Sequence, residues 1–172
     1  MKRRVEVCVS LLVRYRNDSF LHRIVTCDEK WILYDNSKRS YQWLDADEPP
    51  GHHAKPKQHA EKLMVSVWWT WAGVVHFTFT KPGTGITAAS YCTMMQKLAS
   101  TQSRLVNREG PLLLHDNAKP HTARITLQKL RDLNLELLPH PPYSPDLSPT
   151  DYYFFQNLDN FLHEKKSKMR SR

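Results

Sequence analysis

Apolar residues in this chain fall into two patterns, short strand-like runs and longer stretches of helical period. Val5, Val9, Leu12 and Val13 recur at roughly helical spacing among basic residues, which predicts an amphipathic lead-in helix over residues 1–19. FLHRIVTCDEKWILYDN (20–36) is rich in β-branched and aromatic residues and runs into the turn-forming Asp35-Asn36-Ser37, so it reads as a long strand or a bulged pair. SYQWLD (40–45) reads as a strand returning from it across Asn36 to Arg39. LMVSVWWTWAGVVHFTFT (63–80) reads as paired strands around a tight Ala72-Gly73 turn, with most of Trp68, Trp69 and Trp71 assigned to the core.

The second half alternates helical and strand patterns. Thr87 to Leu105 predicts a helix N-capped by Thr87, with Tyr91, Met94, Met95, Leu98 and Leu105 inward. PLLLHDN (111–117) is the continuous apolar run of a strand buried on both faces. His121 to Leu133 predicts a helix starting near Pro120 and carrying Ile125, Leu127, Leu130 and Leu133, and Leu135 to Leu138 a further strand. The prolines of HPPYSPDLSPT (140–150) hold the chain extended. Thr150 to Glu164 predicts a closing helix with Tyr153, Phe154, Leu158, Phe161 and Leu162 inward, followed by a disordered basic tail over 165–172. An antiparallel meander followed by parallel crossovers predicts an α/β fold, a central mixed sheet covered by helices.

Length, charge and cysteines narrow the class. At 172 residues the chain suits one domain with a real core, here residues 20–164. A net charge of +8 favours a polyanionic partner such as nucleic acid. Cys8, Cys27 and Cys92 are odd in number and widely spaced, so they offer neither a disulfide framework nor a CxxC site and read as buried thiols of a reducing compartment. No run reaches bilayer-spanning length, and the short apolar run near the N-terminus lacks a small-residue cleavage site, which places the chain in the cytosol or nucleus. The polar stretch 45–62 carries His52, His53 and His59, but with no cysteine nearby and no fixed face it reads as a solvated loop.

Three aspartates carry the candidate chemistry. Asp28 ends the run Ile24 to Cys27, Asp116 ends the Leu112–Leu114 run, and Asp151 opens the last helix. Strand ends at the C-terminal edge of an open α/β sheet are where such folds place ligands. A carboxylate cluster on rigid elements suits hard divalent cations, and two such ions about 3.5–4 Å apart support in-line phosphoryl transfer. Each acid also has a structural alternative. Asp28 could pair with Lys30, Asp116 could form an Asx turn with Asn117, and Ser148-Pro149-Thr150-Asp151 has capping-box form.

TCDEKW (26–31), HDNAKPH (115–121) and PPYSPDLSPTDYYFF (141–155), with 34 residues between Asp116 and Asp151, resemble the catalytic domain of mariner-type transposases of the Tc1/mariner superfamily. Residues 21–36 and 139–150 also look like the transposase-derived half of SET-domain and mariner fusion proteins. The resemblance implies a ribonuclease H-like five-stranded mixed sheet flanked by helices. It implies DNA cleavage and strand transfer by cut-and-paste, using two Mg²⁺ or Mn²⁺ ions held by Asp28, Asp116 and Asp151. Asn117, Lys119 and His121 would flank the site, and Tyr143 would shape the loop leading to the third acid. Lys119 stands where the family's HDNARPH form has arginine, and Asp151 is kept where the fusion proteins carry asparagine. The implied partners are DNA, both transposon ends and target, and a second copy of the chain, in the nucleus, with no membrane and no small-molecule cofactor. Family members carry two helix-turn-helix modules upstream and further helices downstream, so the resemblance implies a catalytic-domain fragment truncated at its C-terminus.

Two other readings set this against less chemistry: an inactive or domesticated remnant that binds DNA, and a basic interaction domain for RNA or acidic partners. The second leaves the placement of the three acids unexplained.

Overall fold

The protein is described by a computed structural model covering residues 2–33, 43–45, 47–49, 51, 61–101 and 110–170. Helix α1 (Lys2–Asn17) and a 3₁₀ turn (Leu21–Arg23) lead into strand β1 (Ile24–Leu33). Strands β2 (Lys62–Thr70) and β3 (Gly73–Thr80) follow, then helix α2 (Ala88–Thr101) and strand β4 (Leu112–Leu114). Helices α3 (Lys119–Thr122) and α4 (Arg124–Asp132) precede strand β5 (Glu136–Leu137), a 3₁₀ turn (Pro145–Leu147), a π-helical turn (Thr150–Phe155) and helix α5 (Gln156–Arg170).

The five strands form one mixed sheet in the order β3-β2-β1-β4-β5. β1 runs antiparallel to β2 and parallel to β4, and β4 runs parallel to β5. The meander-then-crossover expectation holds, with β1 at the centre. Alternation along β1 sends Val25, Cys27 and Glu29 to one face and Thr26, Asp28 and Lys30 to the other. On the first face Val25, Cys27, Trp68 and Leu113 pack against Tyr91, Met94, Met95 and Leu98 of α2 and against Leu130 of α4. Thr87 caps α2 as expected, its Oγ1 accepting the Ser90 N–H at 3.2 Å. On the second face Phe155 packs on Val65 and Val67, and Lys30 pairs with Asp159 at 2.9 Å, so α5 is bolted across β1 and β2.

Several local expectations are corrected. Of the strand expected over 40–45 only residues 43–45 are described, without regular structure, and the antiparallel partner of β1 is β2. The β2–β3 turn lies at Trp71-Ala72, with Gly73 already in β3 at φ 127°, a conformation suited to glycine. Trp68 is buried and Trp69 partly so, while Trp71 stands in solvent. The helix expected from His121 to Leu133 breaks at Ala123, whose ψ of 147° is extended. Thr126 and Leu130, rather than Ile125 and Leu127, point inward. The proline-rich segment is turned, not extended, through the 3₁₀ turn at Pro145–Leu147. The expected closing helix begins as a π turn; Phe155 is buried with Phe154 and Leu158 packed beside it, while Tyr153 and Phe161 are exposed. Helix α5 continues through Arg170, into the stretch expected to be disordered.

Helix α1 forms, but Val5, Val9, Leu12 and Val13 face outward. It is held instead by Leu11 beside Phe20 and by ion pairs from Arg4 to Asp146 and from Arg14 to Glu136. Cys8 is exposed, Cys27 buried and Cys92 intermediate, so only one of the three expected buried thiols is fully so. His52, His53, His59, Leu105 and the Asp35-Asn36-Ser37 turn lie outside the described residues. Among the described residues no helix is long and apolar enough to cross a membrane.

Trp68 is fully buried at the sheet centre, whereas Trp71 is 77% exposed. Trp68→Ala is therefore expected to cost about 3–5 kcal/mol of unfolding free energy, and Trp71→Ala no more than about 0.5 kcal/mol, in urea titrations followed by circular dichroism.

Candidate active site

The site is built by strand register. β1 and β4 pair in parallel with Thr26 opposite Leu114, so two residues further along the two chains stand Asp28 and Asp116. Both lie at the C-terminal side of this pair, as the sequence pattern predicted. The third acid is delivered by the helical layer. Thr150 is fully buried; its hydroxyl lies 3.1 Å from that of Thr26 and accepts the Trp69 indole N–H at 3.0 Å. These two bonds pin the start of the π turn to β1 and β2, and Asp151 is the next residue. Asp151 and Asp116 line one cleft together with Asn117, His140, Tyr143 and Ser144.

The structural alternatives can now be judged. Lys30 pairs with Asp159, not Asp28. No side chain caps the π turn, so Asp151 is not spent on a capping box. The Asx turn at Asp116 does form, Oδ1 accepting the Ala118 N–H at 3.0 Å, but the same oxygen also meets His121 Nδ1 at 2.7 Å.

Electrostatics tie the three acids together. Burial, reinforced by the charges of Asp151, Glu29 and Asp116, pushes the Asp28 carboxyl up to about 8, although its Oδ1 accepts the Glu29 N–H at 2.7 Å. Asp116 is held below its ordinary value, chiefly by the hydrogen bond from His121. Burial opposes charge on His121, but the hydrogen bond to Asp116 and the Glu29 carboxylate 3.3 Å from its Nε2 outweigh it and push the imidazole up to about 9. Beside it, burial and the His121 charge push His115 down to about 3.

The remaining predicted residues surround the cleft. Asn117 Nδ2 donates to the His140 carbonyl at 3.0 Å, tying the loop after β4 to the proline-rich loop. Lys119 opens α3 with its side chain exposed. Tyr143 is fully exposed at a φ of 53°, in the left-handed region. A network behind the acids was not read from sequence. Cys27 Sγ lies 3.0 Å from the Tyr91 hydroxyl, which lies 2.7 Å from His115 Nδ1, and His115 stacks on His121 at 4.8 Å. Glu29 and His115 directly neighbour Asp28 and Asp116 in sequence, a signal that was available. Thr150 and Trp69 required the fold.

Among the described residues no three His, Cys, Asp or Glu side chains stand close enough together to ligate a metal. The donor chemistry nonetheless fits a hard divalent cation: the acids offer only oxygen, and a partly buried Asp28 raised by like charges is relieved by positive charge.

A mixed sheet in this order, with one acid midway along the central strand, one just past its parallel neighbour and a third on the helical layer, defines an α/β domain of the ribonuclease H-like class. The family model described as Transposase (partial DDE domain) matches residues 33–109. The Homo sapiens protein Histone-lysine N-methyltransferase SETMAR is 57% identical over 168 residues, covering 95% of this chain and 25% of that protein. Mariner Mos1 transposase of Drosophila mauritiana is 39% identical over 175 residues, covering 96% of this chain and 50% of that protein. The Mos1 transposase catalytic domain, solved with raltegravir and Mg, superposes with a TM-score of 0.76 at 38% identity, covering 94% of this chain and 72% of that one. The chain belongs to the mariner-type transposases and corresponds to their catalytic domain. It spans a quarter to a half of the length of these two full relatives.

The raised groups set a pH dependence. Asp28 and His121 both bind their proton more tightly folded than unfolded, so the stability each contributes is complete below its unfolded value and is lost as pH rises through about 8 and about 9 respectively. His115 and His140 are depressed, and their opposite contributions are already complete above about 6.5. Between about pH 6.5 and 8 the metal-free protein is therefore expected to lose thermal stability, and Asp28→Asn to flatten that loss, by scanning calorimetry in chelator; a midpoint that holds or rises over this window would contradict the assignment.

Proposed function

We propose that this chain is the catalytic domain of a DNA transposase that cleaves phosphodiester bonds at transposon ends and joins them to target DNA. The reading is supported by the junction of β1 and β4, where the strand register carries Asp28 and Asp116 past the same paired ends and the Thr150 anchor carries Asp151 into the cleft that Asp116 lines. Family membership supports the reaction class, and the net charge of +8 suits a polyphosphate substrate in the nucleus.

Asp28, Asp116 and Asp151 would hold two divalent ions, Mg²⁺ or Mn²⁺; the Mos1 catalytic domain is solved with Mg. When bound, such ions supply an activated water or 3′-hydroxyl and stabilise the leaving oxygen. The chain's own residues do the rest. His121 and the Ala118 amide both engage Oδ1 of Asp116, so Oδ2 would be the oxygen offered to a cation. Asn117 keeps the two cleft loops in register. Lys119 presents an ammonium to a phosphate as a point charge, without the fork of an arginine. Tyr143 offers a solvent-facing ring at the rim, a surface on which a base can stack.

Binding to DNA without chemistry leaves unexplained a partly buried group of acids that repel one another, and all three acids are present. With supercoiled plasmid and Mn²⁺, the protein is expected to nick DNA. Asp28→Asn, Asp116→Asn and Asp151→Asn should each lower the rate by at least about 10³-fold, the equivalent of several kcal/mol, while leaving the circular dichroism spectrum unchanged. Nicking that survives all three substitutions would rule the reading out.

A further inference from the structure

Glu29 has no part in the chemistry above, yet it touches Asp28 directly and reaches Asp116 through His121. It follows Asp28 on β1 and points to the opposite sheet face, where its side chain is 13% exposed. Its main-chain N–H donates to Asp28 Oδ1 at 2.7 Å. Its Oε2 lies 3.3 Å from His121 Nε2, an ion-pair contact whose alignment falls short of a hydrogen bond, and its Oε1 is buried with no hydrogen-bond partner among the described residues. His121 is 1% exposed, and its Nδ1 meets Asp116 Oδ1 at 2.7 Å. The imidazole stacks on His115, 5° from parallel, and lies 4.3 Å from the Tyr91 ring at a 40° tilt, so neighbouring rings restrict it.

A carboxylate buried with one oxygen unpaired lowers stability, and an apolar residue would serve the core better. What Glu29 provides is a fixed charge behind a fixed ring. Ligating groups are commonly oriented by such outer partners, whose removal costs about 10–100-fold in metal affinity.

We propose that Glu29 is a positioning residue, which through His121 fixes the orientation of the Asp116 carboxylate and so determines which oxygen faces the cleft. This rests on the reading of Asp116 as a cation ligand, and the test separates the two. Mn²⁺ affinity is measured by electron paramagnetic resonance on the intact chain, wild type, Glu29→Gln, His121→Asn and His121→Gln. Glu136→Gln, which breaks only the exposed pair with Arg14, serves as control. In parallel, the His121 ring nitrogens are read by ¹⁵N NMR in the metal-free protein.

Glu29→Gln is expected to weaken Mn²⁺ binding about 10–100-fold and to move the His121 nitrogen resonances, with the control unchanged. His121→Asn, whose amide can donate from the Nδ1 position, should bind Mn²⁺ more tightly than His121→Gln, whose amide reaches toward Glu29 instead. Mn²⁺ affinity of Glu29→Gln within twofold of wild type, together with unmoved His121 resonances, overturns the proposal. If Glu29→Gln does not fold, equal affinities of the two His121 variants overturn it. If the wild type binds no Mn²⁺, the cation reading fails, and the His121 resonances alone decide the positioning role, unmoved resonances overturning it.

Discussion

Like charge at a sheet edge is the constraint on which the rest of this structure depends. The parallel register of β1 and β4 brings Asp28 and Asp116 side by side, and the Thr150 anchor adds Asp151. Burial of Asp28 disfavours its charged form, and repulsion from the neighbouring carboxylates adds to that, which is why its proton is held to about 8. The protein answers unevenly. Asp116 receives His121 and an amide and is fully ionised at neutral pH, whereas Asp28 receives a single amide and keeps its proton. One acid is thus neutralised from within the fold, and another is left to be relieved by a cation.

The scaffold around this cluster is stiff. β2 is buried on both faces between β1 and β3, and the core on one side and α5 on the other fix the strands that carry the site. The π turn is where the fold departs from regular geometry, at the residue that carries the third acid. Widening the helix there lets Thr150 reach both Thr26 and Trp69 while Phe155 drops into the core.

Much of this was legible in residues 20–33 and 111–117, because a β-branched run and a continuous apolar run have few alternatives to strands; Asp116 does follow its strand, whereas β1 runs on past Asp28 to Leu33. The 34-residue spacing and the YSPDL segment carried the family. What stayed hidden depends on tertiary contact. Phe155, Leu158 and Leu162 also fit a period of 3.6, so the pattern alone did not choose between that face and one carrying Tyr153 and Phe161, and contact with Val65 and Val67 decided it. The break at Ala123 has no glycine and follows a proline that is tolerated in a first turn, so no breaker announced it. The outward stripe of α1 was misplaced because periodicity identifies an apolar face without saying what meets it. Glu29 and His115 sat beside quoted aspartates, but their roles arise from strand alternation and ring stacking across the sheet.

Asp28 holds a proton because it is largely desolvated, with the charges of Asp151, Glu29 and Asp116 adding to the effect, and a cation bound at the acids is expected to displace that proton. Calorimetric titration of Mn²⁺ at pH 7 in buffers of differing ionisation enthalpy counts the protons released on binding. The account predicts release of close to one proton per chain, lost in Asp28→Asn; cation binding with no proton release would contradict it.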